Sequence, residues 1–202
     1  MRISSVAARP PFLLILCYRM EAILPIDKAH ELSKEDKMKR LILLGGTMGV
    51  GKTAICRHLY QALPDCVWLD GDWCWMMHPF VANEENKAMV LHNITALLRA
   101  FLANSSLQTI LFDWVLHEQS IWDDLLTRLP LEGVEVVEVA LTCSPDCLRQ
   151  HFAADNRDMA RVEASIARLP LYQKLRAHKL DITGLSPEQS AQRLLAWLRQ
   201  RG

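Results

Sequence analysis

Gly46-Thr47-Met48-Gly49-Val50-Gly51-Lys52-Thr53 is the stretch that decides how the rest of the chain is read. It fits the pattern Gly, any four residues, Gly-Lys-Thr, with Gly46, Gly51, Lys52 and Thr53 in the fixed places. The apolar run Leu41-Ile42-Leu43-Leu44 precedes it and predicts a buried parallel strand. Ile55, Leu59 and Leu63 follow at helical spacing. Glycines let the chain curl until successive backbone N–H groups converge on one anion. The helix behind them adds its positive N-terminal end. In such a turn Lys52 neutralises β- and γ-phosphates, and the Thr53 hydroxyl ligates Mg²⁺. A Gly-rich turn that binds nothing is disfavoured, because motif, strand and helix agree. Residues 46–53, every one of them, are therefore the expected nucleotide-binding residues, with ATP and Mg²⁺ as the expected cofactors.

The 202 residues are enough for one domain with a sizeable core. Formal net charge is zero, which argues against a general nucleic-acid-binding surface. The six cysteines form no framework of regular spacings, and a protein that works where ATP is should keep them reduced. A cytoplasmic protein, monomeric or homodimeric, is expected. Cys143 and Cys147 make a C-x-x-x-C pair with no matching Cys or His pair for zinc, so core or helix-start thiols are expected.

Residues 1–37 read as an N-terminal extension without fixed structure. The apolar run 12–17 within them is too short to span a membrane, and no small-residue cleavage site follows it. The folded domain is expected over 38–202. Cys66-Val67-Trp68-Leu69 predicts a second strand ending in Asp70-Gly71-Asp72. Asn83 is the expected cap of a helix to about residue 103. Thr109-Ile110-Leu111-Phe112 predicts a third strand ending at Asp113, and a helix is expected over 120–129. A fourth strand is expected over 134–142, helices around 148–152 and 159–168, a short strand over 179–183, and a final amphipathic helix. Alternating strands and helices predict an α/β, three-layer P-loop NTPase fold: a five-stranded parallel sheet, helices on both faces and a small helical lid at about 149–172.

Ligands on such a sheet bind outside the carboxyl ends of its strands, where this loop, Asp70-Gly71-Asp72 and Asp113 converge. Phosphoryl transfer needs a carboxylate facing the acceptor, a magnesium environment and cations over the moving group. Asp72 is the expected acceptor-orienting base. Asp70 is expected in the Mg²⁺ shell or on a substrate hydroxyl, the second strand being taken to lie beside the first. Asp113 is read either as a magnesium-side acid or as a strand-end cap. Arg157, Arg161 and Arg168 are candidate phosphate clamps, because a guanidinium fork grips phosphate oxygens in pairs. A solvated helix face is the alternative for Arg157 and Arg161. Trp73, Trp75, Phe80, Trp114 and His117 fall near strand ends and could stack on a flat acceptor or simply pack in the core.

Over 38–202 the chain resembles the P-loop small-molecule and nucleotide kinases. Leu69-Asp70-Gly71-Asp72 is similar to the strand-two motif of adenylylsulfate and gluconate kinases, in which the second Asp faces the acceptor hydroxyl. Arg168-Leu169 with Tyr172 resembles the lid-exit segment of that family, whose arginine contacts phosphates, and Asp181-Ile182-Thr183 resembles its adenine-side strand. The run Trp73-Cys74-Trp75-Met76-Met77 departs from adenylylsulfate kinases, which place Asn and Arg there. The segment 68–77 resembles a branch of AAA-type or nucleotide-kinase-like bacterial proteins. The resemblance implies an ATP-dependent kinase of a small hydroxyl- or phosphate-bearing acceptor, such as a nucleoside or nucleotide. The other reading is an ATP-binding or ATP-hydrolysing switch without such an acceptor. A GTPase is disfavoured, since no Asn-Lys-x-Asp stretch occurs, and an enzyme of nucleic-acid ends is disfavoured by the neutral charge. No membrane partner is expected.

Overall fold

A computed structural model describes residues 38–201. The extension expected over 1–37 lies outside the described residues. The apolar run becomes strand β1 (Lys39–Gly45), and its side chains alternate between two layers. Ile42 and Leu44 enter one core with Ile55, Leu59, Leu148 and Leu194. Leu41 and Leu43 enter the other with Val90, Ile94, Leu98 and Trp122. A strand buried on both faces needs apolar residues at every position, which is why this run does not alternate with polar ones.

The remaining elements are helix α1 (Lys52–Ala62), strand β2 (Cys66–Asp70), helix α2 (Glu84–Ala103), strand β3 (Thr109–Trp114) and helix α3 (Gln119–Thr127). Strand β4 (Val134–Thr142), helix α4 (Pro145–Ala154), helix α5 (Val162–Gln173), strand β5 (His178–Asp181) and helix α6 (Pro187–Arg199) complete the domain. The five strands are parallel in the order β2-β3-β1-β4-β5. The expected architecture of a five-stranded parallel sheet between helical layers is thus observed. Among the described residues no helix is long and apolar enough to cross a membrane.

Three expectations are corrected. β2 does not lie beside β1; β3 sits between them, pairing Leu44 with Asp113 and Asp113 with Asp70. The two acidic strand ends are thus direct neighbours at one level of the sheet. The helix expected over 159–168 is a 3-10 turn (Met159–Arg161) followed by α5, which runs on through Pro170 to Gln173. Burial of Leu169 and Tyr172, and the Tyr172 hydroxyl donating to the Val115 carbonyl at 2.6 Å, hold that segment helical where proline alone signals a break. α4 is also longer than its apolar residues implied: Ser144 caps it and Pro145 occupies its first turn.

Trp122 closes the layer under the phosphate-binding turn. It is fully buried, and its indole N–H donates to the Leu116 carbonyl at 2.8 Å. A Cβ on Gly45 would come within 2.6 Å of its ring. Trp122→Ala should lower the unfolding free energy by about 3–5 kcal/mol. Urea denaturation of the full chain measures it, and a loss under 1 kcal/mol would show that the layer does not depend on this ring.

Candidate active site

The turn between β1 and α1 is braced by α4, by α5 and by the end of β3. Gly49 sits at φ +80°, and a Cβ there would lie 2.2 Å from the Phe152 ring. The apex of the loop therefore rests on α4 with no room for a side chain. His151, on the same helix, meets the Gly49 carbonyl through Nδ1 at 3.2 Å. A carbonyl can only accept, so Nδ1 carries the proton, and Nε2 is free to accept from the Cys147 thiol at 3.5 Å. From α5 the Ser165 carbonyl accepts the Thr47 hydroxyl at 3.0 Å. The Gly46 N–H donates to Val115, just past β3, at 3.3 Å. Gly51, at φ +108°, starts α1 in a backbone region that ordinary residues avoid. These contacts fix a concave loop, open at a helix N-terminus, whose glycines leave backbone N–H groups bare for an anion.

Lys52 and three carboxylates meet beneath this loop. The Lys52 side chain is buried, and its ammonium donates to the Gly46 and Thr47 carbonyls at 2.9 and 3.2 Å. Burial pushes its pKa down, while the charges of Asp113, Asp72 and Asp70 act to raise it. Asp70 is buried and accepts the Thr53 hydroxyl at 3.0 Å. Its other oxygen accepts the Asp72 N–H at 2.9 Å, starting a 3-10 turn (Gly71–Trp75). That turn aims Asp72 outward. Asp72 keeps an exposed edge, yet desolvation on its inner side raises its carboxyl above the usual range, with Lys52 pulling the other way.

Asp113 is completely buried, and burial with the nearby Asp70 charge pushes it up to about 7. One of its oxygens accepts the Trp68 indole N–H at 2.7 Å. The other has no partner among the described residues. Trp68 was not foreseen as a site residue; its only sequence signal is a polar-tipped aromatic in an otherwise apolar strand. The glycine between the two aspartates has a packing reason. Gly71 is buried, and a Cβ on it would lie 2.6 Å from the Trp114 ring.

The expected clamp residues are less closely gathered. Arg157 pairs with Asp155 at 2.8 Å, lies over the Phe152 ring at 5.9 Å, and its charge acts on Asp72. Arg161 stands 3.9 Å from Asp158, on the exposed turn between α4 and α5. Arg168 is exposed midway along α5, and no carboxylate among the described residues pairs with it. Trp73 is half exposed against Trp68, with ring centres 5.1 Å apart. Trp75 is partly buried against the α2-side core and Phe80.

The donors fit the groups a phosphate-binding loop implies. A Cβ on Gly46 would meet Val50 at 2.7 Å, so Gly46, like Gly49, holds space that a larger residue would disturb. The Thr53 hydroxyl, Asp70 and the unpartnered Asp113 oxygen form an all-oxygen set suited to Mg²⁺. Among the described residues no group of three or more His, Cys, Asp or Glu side chains could hold a metal alone. A magnesium shared with triphosphate oxygens and water needs no such group.

Loop, lysine and strand-end acids on a parallel sheet define a P-loop NTPase domain. Residues 42–167 match the AAA domain family, and the chain belongs to it. No curated protein sequence matches the chain. The tunicamycin resistance protein of Deinococcus radiodurans superposes with a TM-score of 0.64 at 17% identity, over 79% of this chain and 95% of that one. The gluconokinase of Sinorhizobium meliloti 1021 gives 0.59 at 17% identity, over 82% and 95%. The shikimate kinase of Acinetobacter baumannii, solved with shikimate, gives 0.51 at 22% identity, over 81% and 94%. The chain shares their fold.

The buried Asp113 predicts a pH signature in magnesium-free buffer. A carboxyl at about 7 holds a proton that the unfolded chain, at about 4, has released. The folded state binds more protons in that window, so stability falls as pH rises from about 4 to 7. Asp113→Asn keeps an acceptor for Trp68 and removes the titration. Between pH 5 and pH 8 the parent chain should lose on the order of 2–3 kcal/mol more than the variant. Parallel losses in urea denaturation would show that Asp113 is not the group responsible.

Proposed function

We propose that the chain is an ATP-dependent phosphotransferase acting on a small acceptor that carries a hydroxyl or phosphate group, a nucleoside or nucleotide being one such class. The observation that carries this reading is Asp72, exposed at the rim, while the buried Lys52, Asp70 and Asp113 lie behind it. A carboxylate at the open rim can meet a hydroxyl on a molecule outside the cluster, which the buried acids cannot.

The step follows from this arrangement. Loop amides and Lys52 hold the β- and γ-phosphates of ATP. Thr53, Asp70 and Asp113 are the residues that would hold Mg²⁺, which supplies charge neutralisation when bound. Asp72 accepts the acceptor's proton as its oxygen forms a bond to the γ-phosphorus. The bond from that phosphorus to the β–γ bridging oxygen breaks, and ADP leaves with the electron pair. The products are ADP, the phosphorylated acceptor and one proton. Lys52 follows the charge as it builds on the transferring group. Arg157 is the lid arginine whose charge acts on Asp72, and we assign it the first contact with the γ-phosphoryl group. Arg161 would join when the exposed turn over 155–161 closes and excludes water, with Arg168, on the fixed helix α5, assigned as the third cation for the phosphates. Trp73 and Trp75 are the residues assigned to the body of the acceptor.

The second reading, a nucleotide-dependent switch, is favoured by the exposed, arginine-bearing turn over 155–161, which a conformational signal could use. The two readings separate on transfer of γ-labelled phosphate from ATP into a pooled metabolite extract. The full chain should produce a labelled compound. Asp72→Asn should slow its formation by about 10²–10⁴-fold while ATP binding is kept. Release of free phosphate alone, at equal rates in both proteins, would remove Asp72 from the mechanism and favour the switch.

A further inference from the structure

Exposed apolar side chains follow Asp72 closely in the chain. Trp73, Met76, Phe80, Val81 and Met89 all face solvent, Met76 at 85% and Phe80 at 64% exposure. They are carried on a held surface and not on a loose loop. Trp75, stacked on Phe80 at 5.6 Å, packs into the α2-side core together with Met77 and Leu91. The Asn86 amide donates to the Val81 carbonyl at 2.8 Å, and Asn83 caps α2 through the Asn86 N–H. On the other side of Asp72, Trp73 leans on Trp68, which holds Asp113. Five exposed apolar side chains on one held segment and the start of the helix behind it are more than scattered surface residues, and such apolar surface marks a binding site.

The charge around it is one-sided. From Asp70 to Asn93 the acids are Asp70, Asp72, Glu84 and Glu85. Lys87 is the only lysine or arginine in that span, and its ammonium lies 2.7 Å from Glu84. Within that span a carboxylate or phosphate on the acceptor would find no cation of its own; it would face Asp72 and would have to compete with the phosphates of ATP for Lys52 and Arg157. The cations whose charge acts on Asp72 are Lys52 and Arg157, and both are assigned to the phosphates of ATP.

We propose that the acceptor is a small uncharged molecule whose hydroxyl is borne on an aromatic or aliphatic body. Its hydroxyl meets Asp72, and its body lies over Trp73, Met76 and Phe80. Methionines suit an irregular apolar guest, because their unbranched side chains adapt to its shape. This rests on the phosphotransferase reading and narrows it by removing phosphate- and carboxylate-bearing acceptors.

The test supplies γ-labelled ATP and the full chain with a metabolite extract split into two parts. One is soluble in ethyl acetate; the other is retained on an anion exchanger. Label should enter the ethyl acetate part, and Phe80→Ser and Met76→Ser should each raise KM for it by about tenfold with kcat little changed. Label entering only the anionic part overturns the acceptor class and leaves the phosphotransferase reading intact. Label entering neither part sinks the phosphotransferase reading instead. Nile red, a neutral apolar dye, then decides the surface. Saturable binding that quenches tryptophan emission, is lost in Phe80→Ser and is competed by the ethyl acetate part keeps the surface as a site for a neutral apolar molecule and overturns only that molecule's role as phosphate acceptor. Binding indifferent to Phe80 overturns the site as well. So does a dimer in sedimentation that Phe80→Ser dissociates, since the patch would then be a surface between copies.

Discussion

A lysine ammonium held out of water among aspartates is the condition on which the other features of this domain depend. Lys52 is buried, and desolvation works against its charge. Asp113, Asp72 and Asp70 work for it. The same burial works against the aspartates, lifting Asp113 to about 7. Neither side is at ease without an added partner of the right sign. A triphosphate offers anionic oxygens to Lys52 and the loop amides, and its magnesium offers a cation to the carboxylates. The empty charge balance of the cluster is thus complementary to a magnesium–nucleotide complex, and stability given up in holding it is stored at the place where binding can relieve it.

Geometry keeps that cluster from relaxing. Phe152 under Gly49, Ser165 on Thr47 and Val115 on Gly46 hold the loop from three separate elements. Val115 serves twice, since its carbonyl also accepts the Tyr172 hydroxyl from α5. The loop, the end of β3 and α5 are therefore linked through one peptide group. His151 adds a fourth brace, itself linked to Cys147. A loop tied at so many points cannot collapse onto Lys52 when phosphate is absent, which preserves the anion cradle at low cost in reorganisation.

Much of this was legible in the sequence because it is written in neighbours. The loop at 46–53 joins a strand and a helix directly, so spacing alone carries it. Asn83 and its helix were legible for the same reason, a cap followed at once by its helix. What was not legible depends on sheet order. Trp68 reaches Asp113 across 45 residues, and His151 reaches Gly49 across 102. Nothing in a single chain's spacing says that β3 lies between β1 and β2. Taking β2 as the neighbour of β1 leaves Trp68 without a partner and gives no sign of Trp114 over Gly71. Pro170 misled in a different way: local chemistry signals a break, and the burial of Leu169 and Tyr172 overrides it.

The true strand order also explains why two neighbouring aspartates can differ in character. Asp70 faces Asp113 across β2 and β3, so it is drawn into the buried level of the sheet and accepts Thr53. Its second oxygen accepts the Asp72 N–H and bends the chain into the 3-10 turn. Gly71 permits that bend, because any side chain there would strike Trp114. Asp72 is thereby carried past the sheet to the rim, one residue from Trp73. A sequence of Asp-Gly-Asp thus becomes one inward acid that serves the loop and one outward acid that serves whatever lies on the apolar surface. The separation of roles follows from a single side-chain-to-backbone hydrogen bond, which is why replacing Asp70 should disturb Asp72 as well, whereas replacing Asp72 should leave Asp70 and the fold in place.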